Sequence, residues 1–134
     1  MNFSLEFPVR SYELDGYGHV NNAVYLQYFE YARAAFLLHI GFDLKQLHEA
    51  GYAFYVTQAH IHYRTAVHLF DTLRARVKPL KLGKASGVFS QTLENQHHVL
   101  CADAEITWVC VSRTSGKPTK IPPEYLVPAL YPDY

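Results

Sequence analysis

Residues 21–41 read Asn21-Asn22-Ala23-Val24-Tyr25-Leu26-Gln27-Tyr28-Phe29-Glu30-Tyr31-Ala32-Arg33-Ala34-Ala35-Phe36-Leu37-Leu38-His39-Ile40-Gly41. Asn21 or Asn22 can cap a helix start, and Gly41 stands where a C-terminal stop belongs. The run between them is apolar on nearly every side, and a helix apolar all round is buried all round. At 1.5 Å per residue it is about 28 Å long. Something in the chain must wrap it.

The flanks supply the wrapping. Residues 3–11 are short, aromatic and β-branched, and predict a first strand; Pro8 makes it an edge or marks a strand start. Residues 13–21 form a loop punctuated by Gly16 and Gly18. Residues 43–50 predict a short helix with Asp43 near its start and Gly51 at its end. Four strand-like runs follow, at about 54–66, 72–82, 85–95 and 98–112. The second sets Leu73, Ala75 and Val77 against Arg74, Arg76 and Lys78; the fourth sets Leu100, Ala102, Ala104, Ile106 and Trp108 against Asp103, Glu105 and Thr107. Short links between successive runs favour antiparallel pairing. Residues 113–134 hold Gly116 and five prolines, and read as an irregular tail with one helical turn at Pro123–Leu126. The expectation is a single α+β domain over residues 1–134: a long central helix wrapped by a curved antiparallel sheet.

Composition narrows the function. The chain has 134 residues, 49% hydrophobic and 18% charged, with 12 basic and 12 acidic side chains. One domain of this size buries roughly two thirds of its unfolded surface and needs no staple. Zero net charge argues against nucleic acid as a partner, which requires a basic field. Residues 1–10 show neither the basic start nor the apolar run of a signal peptide. Glu30 and Arg33 interrupt the one stretch that approaches membrane-spanning length. Cys101 and Cys110, nine apart on one predicted strand, lie about 30 Å apart when extended, beyond disulfide reach. Two free thiols fit a reducing cytoplasm. The 11 Tyr and 8 Phe leave an apolar excess that a subunit interface would absorb.

The densest chemistry lies just before the long helix, in Asp15-Gly16-Tyr17-Gly18-His19-Val20-Asn21-Asn22. The first N–H groups of a helix have no intrahelical partner and carry the positive end of its dipole. They can polarise a carbonyl or hold an oxyanion. Glycines allow close approach to the backbone. A carboxylate beside that end can attack the polarised carbon or activate a water. The same residues also fit a capped helix behind a surface Asp-Gly turn.

The string Asp15-x-x-Gly18-His19-Val20-Asn21-Asn22-x-x-Tyr25-x-x-Tyr28-Phe29-Glu30-x-Ala32-Arg33 resembles the signature of hotdog-fold acyl-CoA thioesterases of the 4-hydroxybenzoyl-CoA thioesterase class, and most closely the bacterial branch that hydrolyses fatty acyl-CoA. The likeness continues through Phe70-Asp71-x-Leu73 and Leu82-Gly83-Lys84-Ala85-Ser86, and ends with Ser115-Gly116-Lys117-Pro118-x-x-Ile121-Pro122. It implies a hotdog fold assembled as a homodimer or homotetramer. It implies Asp15 as general base or nucleophile and the backbone N–H of Asn22 as the group that polarises the thioester carbonyl. Three departures stand out. Many members read Asp-x-Asp where this chain has Glu13-Leu14-Asp15. A small residue is usual at Phe70. One branch carries His at the position of Asn22.

His19 either orients Asp15 or a water, or holds the loop through a backbone hydrogen bond. Tyr25 is a candidate for lining the acyl cleft or for the core. Glu30 and Arg33, three apart on the helix, are expected to satisfy each other or nearby backbone, with Glu30 a candidate for shaping the pocket. Lys81 and Lys84, with Lys78, surround the Leu82-Gly83 turn and would attract coenzyme A phosphates, unless they are only a solvated turn. Arg64 and Arg113 are weaker candidates. His60 and His62 share a strand face at a spacing that metal sites use, but no cluster supplies further ligands. No metal or cofactor is expected. The expected substrate is an acyl-CoA, with no nucleic acid or membrane partner. Two other readings share the fold: a dehydratase or hydratase, and a module that binds acyl-CoA without hydrolysis.

Overall fold

The apolar run forms helix α1, Asn22–His39, in a computed structural model that describes residues 3–133. Asn21 is its cap: the side-chain oxygen accepts from the Ala23 amide at 2.9 Å. Gly41, at φ 80°, turns the chain off the far end. A second helix, α2 (Leu44–Glu49), is capped by Asp43, which accepts from the Gln46 amide at 3.0 Å.

Five strands follow the predicted plan: β1 (Phe3–Pro8), β2 (Tyr52–Tyr63), β3 (Thr72–Leu82), β4 (Ser86–Glu94) and β5 (Leu100–Ser112). They form one antiparallel sheet in the order β1-β3-β4-β5-β2. Pairing of successive runs holds for β3–β4 and β4–β5 but fails after β2. Residues 64–71 carry the chain across, so β2 ends at the edge beyond β5 and β1 at the opposite edge. Pro8 closes the edge strand rather than opening it, where its missing N–H costs the ladder least.

The helix is buried on one side only, which corrects the expectation of all-round burial. Tyr25, Tyr28, Phe29, Ala32, Phe36 and Leu37 are covered, while Leu26, Tyr31 and Leu38 face outward. One five-stranded sheet curls around only part of a helix. Leu73, Ala75, Val77, Ala102, Ala104, Ile106 and Trp108 line the inner sheet face as the alternation predicts. Leu100 does not: it is exposed, because the β4–β5 register shifts beside Glu94 and breaks the alternation at the strand end. Cys101 and Cys110 are both free and buried. The tail is more ordered than expected. Short 3-10 turns at Pro123–Tyr125 and Pro128–Leu130 seat Tyr125 and Leu130 in the core. No helix is long and apolar enough to cross a membrane among the described residues.

One glycine is required by packing. The indole of Trp108 stacks on Phe54, with centroids 4.2 Å apart and planes 15° apart, and lies over Gly87. A Cβ at Gly87 would sit 2.4 and 2.7 Å from two indole carbons. Gly87→Ala is therefore expected to destabilise the fold by about 3 kcal/mol, read as a fall of about 10 °C in thermal unfolding. A variant that melts with the wild type would mean that Trp108 moves aside freely.

Candidate active site

The segment before α1 is a small closed hairpin. At its base the Asn21 amide donates to the Glu13 carbonyl at 2.9 Å. Leu14 and Val20 bridge above it, and the Asp15 amide donates to the His19 carbonyl at 2.6 Å. Residues 16–18 make the tip. A second loop fastens this hairpin to the sheet: the Val20 amide donates to the Val67 carbonyl at 2.9 Å, and His19 bridges His68 with ring centroids 5.0 Å apart.

Asp15 sits half-buried in this frame. Its Oδ1 accepts from the amides of Tyr17 (2.8 Å) and His19 (3.1 Å). Its second oxygen accepts no hydrogen bond among the described residues. The Asp-Gly turn is thus real, but it engages only one carboxylate oxygen. His19 touches Asp15 through its backbone, while its ring faces His68. Asn22 is the first residue of α1, and its amide forms no hydrogen bond among the described residues. The hairpin therefore joins an incompletely engaged carboxylate to a free helix N-terminal amide.

Tyr25 is buried one turn into the helix, edge-on to Tyr63 at 5.0 Å. Burial chiefly pushes its phenol up to about 12, with Cys101, Tyr63 and Asp15 adding to the rise and a hydrogen bond to the Val67 backbone opposing it. Sequence reasoning missed Tyr63, whose hydroxyl donates to the Asn22 carbonyl at 3.1 Å and ties β2 to the helix start. Its only sequence signal is its place at the end of a strand. The Val67–His68 fastening was likewise hidden, because it depends on a pairing between two loops.

The expectation that Glu30 and Arg33 satisfy each other or nearby backbone is not met for Arg33, which forms no ion pair with Glu30 among the described residues. Arg33 instead donates to the Gln91 side chain at 3.0 Å, and Gln91 donates to the Phe29 carbonyl at 2.9 Å. Burial lowers the Arg33 pKa, partly offset by the nearby Glu30 charge. Both residues line a cleft of about 170 Å³ between α1 and the sheet, whose apolar walls include Leu37, Val56, Phe89 and Trp108.

The basic turn lies elsewhere. The start of β3 adjoins the Asp15 hairpin, since residues 67–68 hold the hairpin and lead into Asp71 and Thr72. Lys81 and Lys84 are exposed at the other end of that strand, about 30 Å along it. Within one chain they are not brought to Asp15. Arg64 is taken up by Asp103, and Arg113 donates to the His48 carbonyl at 2.9 Å. His60 and His62 are neighbours, at 4.9 Å between centroids, and His62 pairs with Asp103 at 3.1 Å. Among the described residues no group of three or more His, Cys, Asp or Glu side chains is placed to hold a metal ion.

Comparison with known proteins agrees with this architecture. The fold is shared with a 1,4-dihydroxy-2-naphthoyl-CoA thioesterase from Synechocystis, at a TM-score of 0.84 and 21% identity over 91% of this chain and 90% of that one; it is the hotdog fold. The model of the thioesterase-like superfamily matches residues 9–128, and the chain belongs to that family. It is 39% identical to the long-chain acyl-CoA thioesterase FadM of Escherichia coli, over 84% of this chain and 85% of the relative. It is 32% identical to the acyl-CoA thioester hydrolase YbgC of Escherichia coli, over 91% and 93% of the two chains. The crystal structure of YbaW from Escherichia coli superposes with a TM-score of 0.78 at 31% identity, over 91% of this chain and 92% of that one.

Proposed function

We propose that this chain is an acyl-CoA thioesterase that hydrolyses a fatty acyl-CoA to the free acid and coenzyme A. The observation that carries the reading is the hairpin joining Asp15 to the Asn22 amide, with one Asp15 oxygen and that amide both without a hydrogen bond among the described residues. The thioester carbonyl accepts a hydrogen bond from the Asn22 N–H, which holds the oxyanion as it forms. Asp15 either attacks the carbonyl carbon, expelling the coenzyme A thiolate and leaving an anhydride for water to open, or removes the proton of an attacking water. The apolar cleft beside Glu30 and Arg33 accommodates acyl methylenes. Two buried free thiols suit a reducing compartment, the cytoplasm.

The working unit is a pair of chains or a multiple of it. Strand β2 exposes a twelve-residue edge with Tyr55, Val56 and Tyr63 uncovered, the kind of edge that folded proteins cover or pair. Antiparallel pairing of two β2 strands would lay the far end of one sheet beside the near end of the other. The partner subunit's basic turn then shares an end with the Asp15 hairpin, three strand spacings, about 15 Å, to the side of β2. Lys81 and Lys84 thereby serve the nucleotide of a substrate bound at the opposite chain.

Release of thiol from aromatic, short, medium and long acyl-CoAs tests the activity, and light scattering tests the assembly. Turnover of fatty acyl-CoA by a particle of at least two chains is expected. Tight acyl-CoA binding without thiol release would instead make the chain a binding module. Conversion of an enoyl thioester without thiol release would make it a hydratase, and a monomer in solution would remove the role given to the two lysines.

A further inference from the structure

We infer that Glu13 is a positioning residue that mounts the Asp15 hairpin on helix α1 through the hydroxyl of Tyr28, an inference that rests on the catalytic reading of Asp15 and Asn22 above. The hairpin has two feet. Asn21 is joined directly to the helix, whereas Glu13, at the other foot, has no covalent link to it nearby. Its side chain makes that link. Glu13 is 4% exposed, and its Oε1 accepts from the Tyr28 hydroxyl at 2.8 Å, two turns into α1. The same oxygen accepts from the Arg10 amide at 2.7 Å. Oε2 accepts from the Arg10 guanidinium through Nε at 3.2 Å and the terminal nitrogen at 2.8 Å. The carboxylate is thus fully engaged by donors from before the hairpin and from the helix behind it.

The backbone of Glu13 completes the device. Its carbonyl holds the Asn21 amide, so the helix cap and the hairpin base are one rung. One residue separates Glu13 from Asp15, and Asn21 adjoins Asn22. A hinge at the Glu13 foot would swing Asp15 while leaving the Asn22 amide in place. That changes the distance between attacking group and oxyanion donor without removing either. Tyr28 is itself buried and tilted against Phe7, so loss of the carboxylate would leave its hydroxyl without an acceptor. A second acid at this place therefore works through geometry rather than by touching substrate.

The test uses Tyr28→Phe, Glu13→Leu and the double variant, with Leu130→Ala as a core control of similar thermal destabilisation. Tyr28→Phe is expected to lower kcat for acyl-CoA hydrolysis by about tenfold, with KM within about twofold, because misplacement of reacting groups acts on the chemical step. Glu13→Leu should do at least as much, and the double variant should be no slower than Glu13→Leu, since both break one link. Amide hydrogen exchange at Asp15 and Asn21 should quicken in each variant and not in Leu130→Ala. Equal loss of kcat in Leu130→Ala, or unchanged exchange at both amides in Tyr28→Phe, would overturn the inference. If Glu13→Leu does not fold, Tyr28→Phe decides alone. If the wild type releases no thiol from any acyl-CoA, the catalytic reading fails, while hydrogen exchange still decides whether Glu13 mounts the hairpin.

Discussion

Asp15→Asn is expected to slow thiol release by about a thousandfold while thermal unfolding stays within about 2 °C of wild type. The structure explains why the two measurements separate. The hairpin uses only Oδ1 of Asp15, as acceptor for the Tyr17 and His19 amides. An asparagine oxygen accepts the same two bonds, so the turn survives. The second oxygen becomes an NH2 group, which neither attacks a carbonyl nor takes a proton from water. Steady-state rates on the best acyl-CoA and a melting curve suffice. A folded variant with wild-type turnover would place the chemistry elsewhere.

Asn22→Pro should be nearly as damaging, and for a reason confined to one hydrogen. Asn22 is the first residue of α1, a position where proline is well tolerated because its amide has no intrahelical acceptor. The preceding Asn21, at φ −59° and ψ 137°, already has the backbone that a residue before proline adopts. The substitution therefore deletes the N–H while keeping the helix. Loss of one oxyanion donor lowers kcat by about a hundredfold or more. Asn22→Ala, which keeps the amide, is the comparison. Equal losses in both variants would assign the effect to the side chain, and no loss in Asn22→Pro would remove the amide from the mechanism.

The fold was legible in residues 21–41 and in the strand alternation because burial is written directly into local pattern. Leu73, Ala75 and Val77 alternate as they pack, and Gly41 and Gly51 stop helices at positions with positive φ. The place of β2 was not legible. A link such as 64–71 is long enough to cross the sheet, and nothing local states which edge a strand joins. Burial of α1 was overread, since an apolar pattern does not state which faces of a helix its own sheet reaches. At the candidate site, Asp15, His19 and Asn22 stand on one contiguous string and could be found by spacing. The bond from Glu13 to Tyr28 could not, because neighbouring acids look alike until one is buried against a phenol. Nor could the separation of Lys81 and Lys84 from Asp15, which follows from strand direction. Arg33, expected to be satisfied by Glu30 or by nearby backbone, instead takes a neutral side-chain acceptor, Gln91 from β4.

The two sulfhydryls of β5 have a practical consequence. Cys101 and Cys110 are fully shielded, and burial raises the pKa of both, so little of either exists as the reactive anion. A colour-forming disulfide dye added to the native enzyme should therefore report liberated coenzyme with almost no background from the protein. The same dye would begin to label the chain once its strands separate, so a single reagent follows both turnover and loss of structure.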